Sequence, residues 1–346
     1  MALCAEIALG QGLNIPSKHW GISFGNSTEF TGLRFNFREK DIRRIDGINI
    51  SCWYYGDFDD ATGKFRGIGI GIPLASGTRD RAGISVGLLG VAATDDIHGV
   101  NLAGVAVDSG RNLVGINLAG LVVRSGENVK GVNAALLVVG AGADVRGINV
   151  SGLVVGAGEN MSGLNIGGLV AGAGEDLSGI TLSLLALGAG ENLTGFSFAG
   201  LAVGSGENVT GISLAGLAVG SGEEVKGVSL AGLAVGCGEE LSGISVAILA
   251  VRAPRVIGLQ AALAVGGEYV KGISLAPAYF RIDGDDGEMV GLSVSAFNHI
   301  RGLQHGLAVG IFNYAYEIKG LQLGLLNHVS SNRKGLRWLP IFNTRF

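Results

Sequence analysis

The chain has 346 residues, of which 62 are Gly and 5 are Pro; 47% are hydrophobic, mean hydropathy is +0.43 and formal net charge is −4. So mild a charge excludes an electrostatic case for nucleic acid or for an anionic membrane surface. Glycine without a G-X-Y triplet excludes collagen, and regularly spaced aliphatics exclude a disordered chain.

Cys4, Cys52 and Cys237 are far apart and show neither a metal-like spacing nor a disulfide framework. There is no uninterrupted apolar run of about 18 residues, so no transmembrane helix is expected. The start, MALCAEIALGQG, lacks a basic region and carries Glu6 within its apolar part, so it does not read as a secretion signal.

Residues 1–66 read as irregularly spaced N-terminal strands. Ile7, Leu9, Leu13 and Ile15 suggest a first strand. Leu33, Phe35 and Phe37 then alternate with Arg34, Asn36 and Arg38, the pattern of a strand with two unlike faces. A polar turn over 57–63 precedes a regular array in residues 67–257. There a glycine followed by an aliphatic or Phe recurs at Gly67, Gly83, Gly99, Gly115, Gly131, Gly147, Gly163, Gly179, Gly195, Gly211, Gly227 and Gly243 without a slip. The period is sixteen residues, and such a repeat decides the architecture before any other feature.

The unit 211–226 is representative. Ile212 and Leu214 flank Ser213, Leu217 and Val219 flank Ala218, and Ala215-Gly216 is one residue too many for continuous alternation. A β-bulge at that step would gather Ile212, Leu214, Leu217 and Val219 on one face and leave small residues on the other. Runs such as Gly220-Ser-Gly-Glu-Glu supply tight turns and hold most of the charge. In residues 258–346 the repeats become irregular. Leu259, Ala261, Leu263 and Val265 alternate with Gln260, Ala262 and Ala264, and Leu336, Trp338, Pro340, Phe342, Thr344 and Phe346 form one face of a closing strand.

The expected fold is all-β, about 21–22 short strands in an antiparallel meander. The leading architecture closes that meander as a membrane β-barrel with large residues toward lipid. The alternative is a parallel β-solenoid with one sixteen-residue coil per repeat. Stacked coils would bring Glu175, Glu191, Glu207, Glu223 and Glu239 about 4.8 Å apart, a like-charge row that counts against the solenoid. The constant period and the scarcity of interfacial aromatics in the array count against the barrel.

The C-terminal GLQLGLLNHVSSNRKGLRWLPIFNTRF, the upstream IFNYAYEIKGLQLGLLN and the N-terminal GLRFNFRE resemble Leptospira-type bacterial surface-repeat proteins. Their units read G-L-Q-(I/L)-G-L-x-N, and they end in Leu-Pro-x-x-Asn-x-x-Phe. The central Ala/Gly-rich copies depart from that unit. The resemblance implies export and association with the outer membrane or cell surface, with no activity and no site residues to transfer.

Candidate chemistry is sparse. The glycine runs lack a Walker motif and read as turns. Asp283-Gly-Asp-Asp-Gly-Glu288 misses both EF-hand and calcium-repeat spacing and reads as a solvated turn. His19, His98, His299, His305 and His328 follow no metal-ligand pattern, although three fall in the last units. Trp53, Tyr54, Tyr55 and Trp338 read equally as interface anchors or packing. No catalytic, cofactor-binding or metal residue is assigned, and no enzyme is expected. The expectation is a structural or passive-channel surface protein contacting a lipid bilayer, without nucleic acid. The alternative is a solenoid scaffold binding a surface ligand, or itself, through its small Ser/Ala face.

Overall fold

A computed structural model describes residues 12–37, 39, 41–52 and 61–345. They divide into two compact units, Met1–Gly174 and Glu175–Phe346, and each is a β-solenoid.

In a representative coil of the second unit, strand Asn208–Ala215 is followed by strand Ala218–Ser221, with bends at 216–217 and 222–223. Each strand pairs in parallel with the same residues one repeat later: Val209 with Val225, Gly211 with Gly227, Ser213 with Ser229, Val219 with Val235. The first unit keeps this register, for example Leu113 with Val129, Asn117 with Asn133 and Val123 with Val139. One repeat is therefore one turn of a coil. The expected barrel and its antiparallel meander are overturned, and the solenoid alternative holds. Antiparallel pairing occurs near the chain ends, between Leu13–Pro16 and Trp20–Phe24 and between strand Trp338–Asn343 and residues 322–328.

Glycine supplies the physical reason. A barrel strand would have to run straight from Gly211 to Gly220. Gly211 instead has φ +117°, and a Cβ there would lie 2.2 Å from Gly195 O of the preceding coil. At Gly222 a Cβ would lie 1.9 Å from Gly206 O. Only glycine tolerates such close coil-to-coil approach, so the chain turns every few residues. Each coil then has a polar wall at 208–210, an aliphatic wall at 212–215 that continues round the corner to Leu217, and a small-residue wall at 218–221.

These corners also correct the assignment of faces. Val219 is 2% exposed, whereas Ile212 and Leu217 are 44% and 43% exposed. Leu214 is half-buried, and Ser213, which the solenoid alternative placed on an outer Ser/Ala face, is buried. The Ala215-Gly216 step is thus a corner rather than a bulge: it resets the alternation, so Leu217 leaves the side on which Val219 remains. In this coil the lumen takes Val209, Ser213 and Val219, one from each wall, and in other coils a small residue at the corner, such as Ala135, Ser151, Ser183 or Ala199, joins them. Buried rows run through Ile97, Leu113, Val129 and Val145 in the first unit, and through Val209, Val225 and Leu241 in the second. Each such side chain contributes about 1.5–3 kcal/mol by leaving water.

The like-charge objection is also overturned. Glu207 N donates to Glu191 O and Glu223 N to Glu207 O, both at 2.9 Å, so these glutamates are stacked. Their side chains stand at exposed corners. There a unit-charge pair at coil spacing costs only about 1 kcal/mol before salt screening, less than the burial each coil gains. In the N-terminal coils Phe37 is 69% exposed while Arg34 is buried, so the aromatic flank of that strand faces out. On the closing strand Trp338 and Phe342 are exposed and Asn343 is buried. Ile7, Leu9, Cys4, Trp53, Tyr54, Tyr55 and Phe346 lie outside the described residues.

Candidate functional site

The outer aliphatic wall is an extensive, chemically uniform surface among the described residues of each unit. In the first unit Ile116, Leu118 and Leu121 are 44%, 39% and 38% exposed, and Ile148, Val150 and Leu153 repeat the pattern one coil-pair later. In the second unit Ile212, Leu217, Leu230, Leu233, Ile244 and Leu249 occupy equivalent places. From Gly83 to Gly163 no Asp, Glu, Lys or Arg falls at any of these outward positions. Isolated exposed aliphatics are normal, but a contiguous stripe of this kind marks an interaction surface. The pattern was visible in the sequence as large residues sharing a flank. Which way that flank points was not.

Charge collects on the other side of each coil. In the first unit Asp95 lies 3.7 Å from Arg79 and 4.0 Å from Arg111, which lies 3.7 Å from Glu127, an alternating ladder along one corner. Arg124 and Asp108 form a two-bond pair of 2.7 and 3.0 Å on the small-residue wall. That pair borders a cleft of about 850 Å³ lined also by Leu74, Arg79, Ala92 and Thr94. The cleft brings together paired charges, small apolar groups and the hydroxyls of Thr94, Ser109 and Ser125. Thr94 Oγ1 donates to Ala61 O at 3.2 Å and Ser109 Oγ to Asn112 O at 2.9 Å, so these two hydroxyls are spent on backbone carbonyls. In the second unit Lys226 pairs with Glu224, and Arg255 lies 3.6 Å from Glu240.

The lumen holds polar groups that the sequence pattern did not single out. Asn101, Asn117, Asn133, Asn149 and Asn165 form a buried chain in which each Nδ2 donates to the next Oδ1 at 2.8 Å. Near the N-terminus Arg34 Nη1 donates to Glu39 Oε2 and Asn49 Oδ1, both at 2.8 Å, and Asn49 Nδ2 donates to Glu39 Oε1 at 2.7 Å. Burial would raise the Glu39 carboxyl, but the Arg34 charge and hydrogen bonds from Ser51, Asn49 and Arg34 override it and hold Glu39 below its usual value. Arg81 occupies the aliphatic row between Phe65 and Ile97. Its guanidinium lies 4.7 Å over the Phe65 ring, in space opened by Gly69, where a Cβ would be 2.6 Å from Arg81 Nη2. Burial pulls Arg81 down to about 10, partly offset by Glu39, and it stays charged at neutral pH.

The last coils carry an aromatic ladder. Phe297 stacks on Tyr279 and Phe312 with centroids 5.5 and 4.8 Å apart, and His328 stacks on Tyr314 at 5.1 Å. Their faces are occupied by one another, so the ladder packs the end of the coil rather than offering an open platform. Tyr279 Oη and His299 Nδ1 are 3.2 Å apart. Burial, then Arg301 and Arg281, pulls His299 below the usual histidine value. Burial, then Arg337, does the same for His328. Among the described residues no group of three or more His, Cys, Asp or Glu is placed to hold a metal ion. Asp283 pairs instead with Arg252 at 3.0 Å and with Arg281.

No helix of the described residues is long and apolar enough to cross a membrane. In comparisons with protein-family profiles, curated proteins and solved structures, none matches this chain.

Proposed function

We propose that the chain is a non-enzymatic β-solenoid scaffold that docks an apolar partner on its outer aliphatic wall, in a cell-surface setting. The observation that carries this reading is the repetition of outward aliphatics, such as Ile116, Leu118 and Leu121, at constant register along each unit. A repeated wall gives many equal contacts and no unique convergent cluster, which suits adhesion or assembly better than catalysis. The docking face is the aliphatic wall rather than the Ser/Ala flank, because Ser213 and its equivalents Ser197, Ser229 and Ser245 fill the lumen.

Paired substitutions test this. Leu217→Asp with Ile212→Asp should leave the circular dichroism spectrum and melting temperature nearly unchanged while reducing uptake of an apolar dye. Val219→Asp, which buries an unpaired charge, should unfold its coil at a cost of about 3–5 kcal/mol. A wild-type chain that stays monomeric without detergent, binds no apolar dye and does not float with phosphatidylcholine vesicles would refute the reading.

A further inference from the structure

The aliphatic wall is not uniform. At its corner four coils of the first unit carry glycine, at Gly104, Gly120, Gly152 and Gly168, and three carry Ile72, Leu88 and Leu136. Ile72 is 48% exposed, less than the two leucines. Leu88 and Leu136 are 63% and 66% exposed, against 48% for Leu89, 38% for Leu121 and 37% for Leu137 beside them. The second unit repeats the device with Leu184 at 65% and Ile248 at 62%, separated by Gly200, Gly216 and Gly232. Knobs thus rise from the wall, with gaps floored by glycine between them. The gaps are built in: a Cβ at Gly104 would lie 2.0 Å from Leu88 O, and one at Gly120 would lie 1.9 Å from Gly104 O.

We propose that this wall pairs with the same wall of a second copy of the chain, each copy's leucine knobs seated over the other's glycine gaps. The inference rests on the scaffold reading and names its partner. Leu88 and Leu136 are three coil steps apart, about 14 Å, which leaves room for one side chain from a facing wall. A two-fold arrangement with the coils running in opposite directions puts one knob of each copy into the gap of the other, the self-complementarity that a closed dimer needs.

Area supports the same partner. The wall spans about six residues, or about 20 Å, and each coil adds about 4.8 Å along the axis. The seven coils marked by Gly67, Gly83, Gly99, Gly115, Gly131, Gly147 and Gly163 therefore present roughly 700 Å² of surface in the first unit alone, bent along the row of corners. That is close to the roughly 800 Å² that each partner contributes to a standard stable interface. A strictly periodic wall would slip by one coil at little cost, and the knobs remove that degeneracy as a register device does between strands. A lipid surface needs no register. It is also met by Trp, Tyr and Lys anchors, and 83–174 contains no Trp, Tyr or Phe.

Sedimentation velocity of the full chain without detergent tests the proposal. The wild type should dimerise. Leu88→Gly, Leu136→Gly, Leu184→Gly and Ile248→Gly combined should weaken the dimer at least about tenfold, as removal of central interface anchors does, with an unchanged melting temperature because glycine is the residue of neighbouring coils. If that variant melts lower, Leu136→Ala with Leu88→Ala should still weaken the dimer, and Lys130→Gln on the polar wall should not. A wild-type dimer that the knob variants leave equally tight overturns the inference. A wild-type monomer that floats with phosphatidylcholine vesicles overturns it too, while leaving the scaffold reading intact. A monomer that neither floats nor takes up an apolar dye removes both.

Discussion

The two units share a backbone repeat but differ in what lies along its axis. In the first unit the lumen carries the Asn101–Asn165 amide chain and one corner carries the alternating Arg79, Asp95, Arg111 and Glu127. At the equivalent places the second unit has Ser197, Ser213, Ser229 and Ser245 inside and a row of glutamates outside. An asparagine amide both donates and accepts, and it is long enough to bridge adjacent coils, so each residue fixes the next. A serine hydroxyl is too short for that span: Ser197 and Ser213 Oγ are buried without a hydrogen-bond partner. The first unit is thus held in register by directional side-chain bonds as well as by its backbone. In the middle of the second the Ser197–Ser245 column adds no such chain, and coil-to-coil side-chain bonds are shorter runs such as Asn208 to Asn192 and Asn192 to Asp176, until Asn298, Asn313 and Asn327 resume the amide chain near its end.

The largest contrast should come from the charged lumen of the first unit. Glu39→Gln leaves Arg34 and Arg81 buried with no balancing charge and should cost about 3–5 kcal/mol, read by urea unfolding. Because the folded Glu39 value is lowered from 4.5, its stabilisation is fully present above 4.5 and is lost as pH falls through the lowered folded value. The Gln variant should lose that acid limb; an unchanged limb would show that Glu39 is not its source.

Next in size is a matched pair of truncations. Asn133→Ala strands Asn117 Nδ2 and Asn149 Oδ1 and should cost about 1–3 kcal/mol. Ser213→Ala removes a hydroxyl that has no partner and should change stability by less than about 0.5 kcal/mol, or raise it. Equal losses would show that the amide chain adds nothing to the first unit.

Smallest is the response of the two corners to salt. Raising ionic strength should slow amide exchange at Val225, beside the glutamate row, by an amount corresponding to less than about 1 kcal/mol. Val129, near the alternating ladder, should respond weakly or in the opposite sense. Glu223→Gln should mimic salt at Val225 within about 0.5 kcal/mol; an effect of opposite sign would remove the like-charge account.

The repeat itself was legible. Gly211 and its equivalents and the charged 222–224 corner follow from period and composition, as does the all-β character; the buried Val209 row, which lies outside the alternating Ile212–Val219 set, did not. Residues such as Arg81 and Leu136 were legible only as departures from their column, Arg in an aliphatic row and Leu in a glycine one. Nothing in the sequence alone marks a departure as a buried charge or an exposed knob.

Local pattern determined that this chain would be short strands joined at glycines, because alternation and glycine spacing act over a few residues. Tertiary structure alone decided that Ile212 faces out and Ser213 in, and that each strand lies beside its copy sixteen residues away. The large flank fits lipid outside a barrel or solvent outside a coil equally well by alternation. What separates them is the direction in which each corner turns, and that depends on how closely one coil's backbone approaches the next.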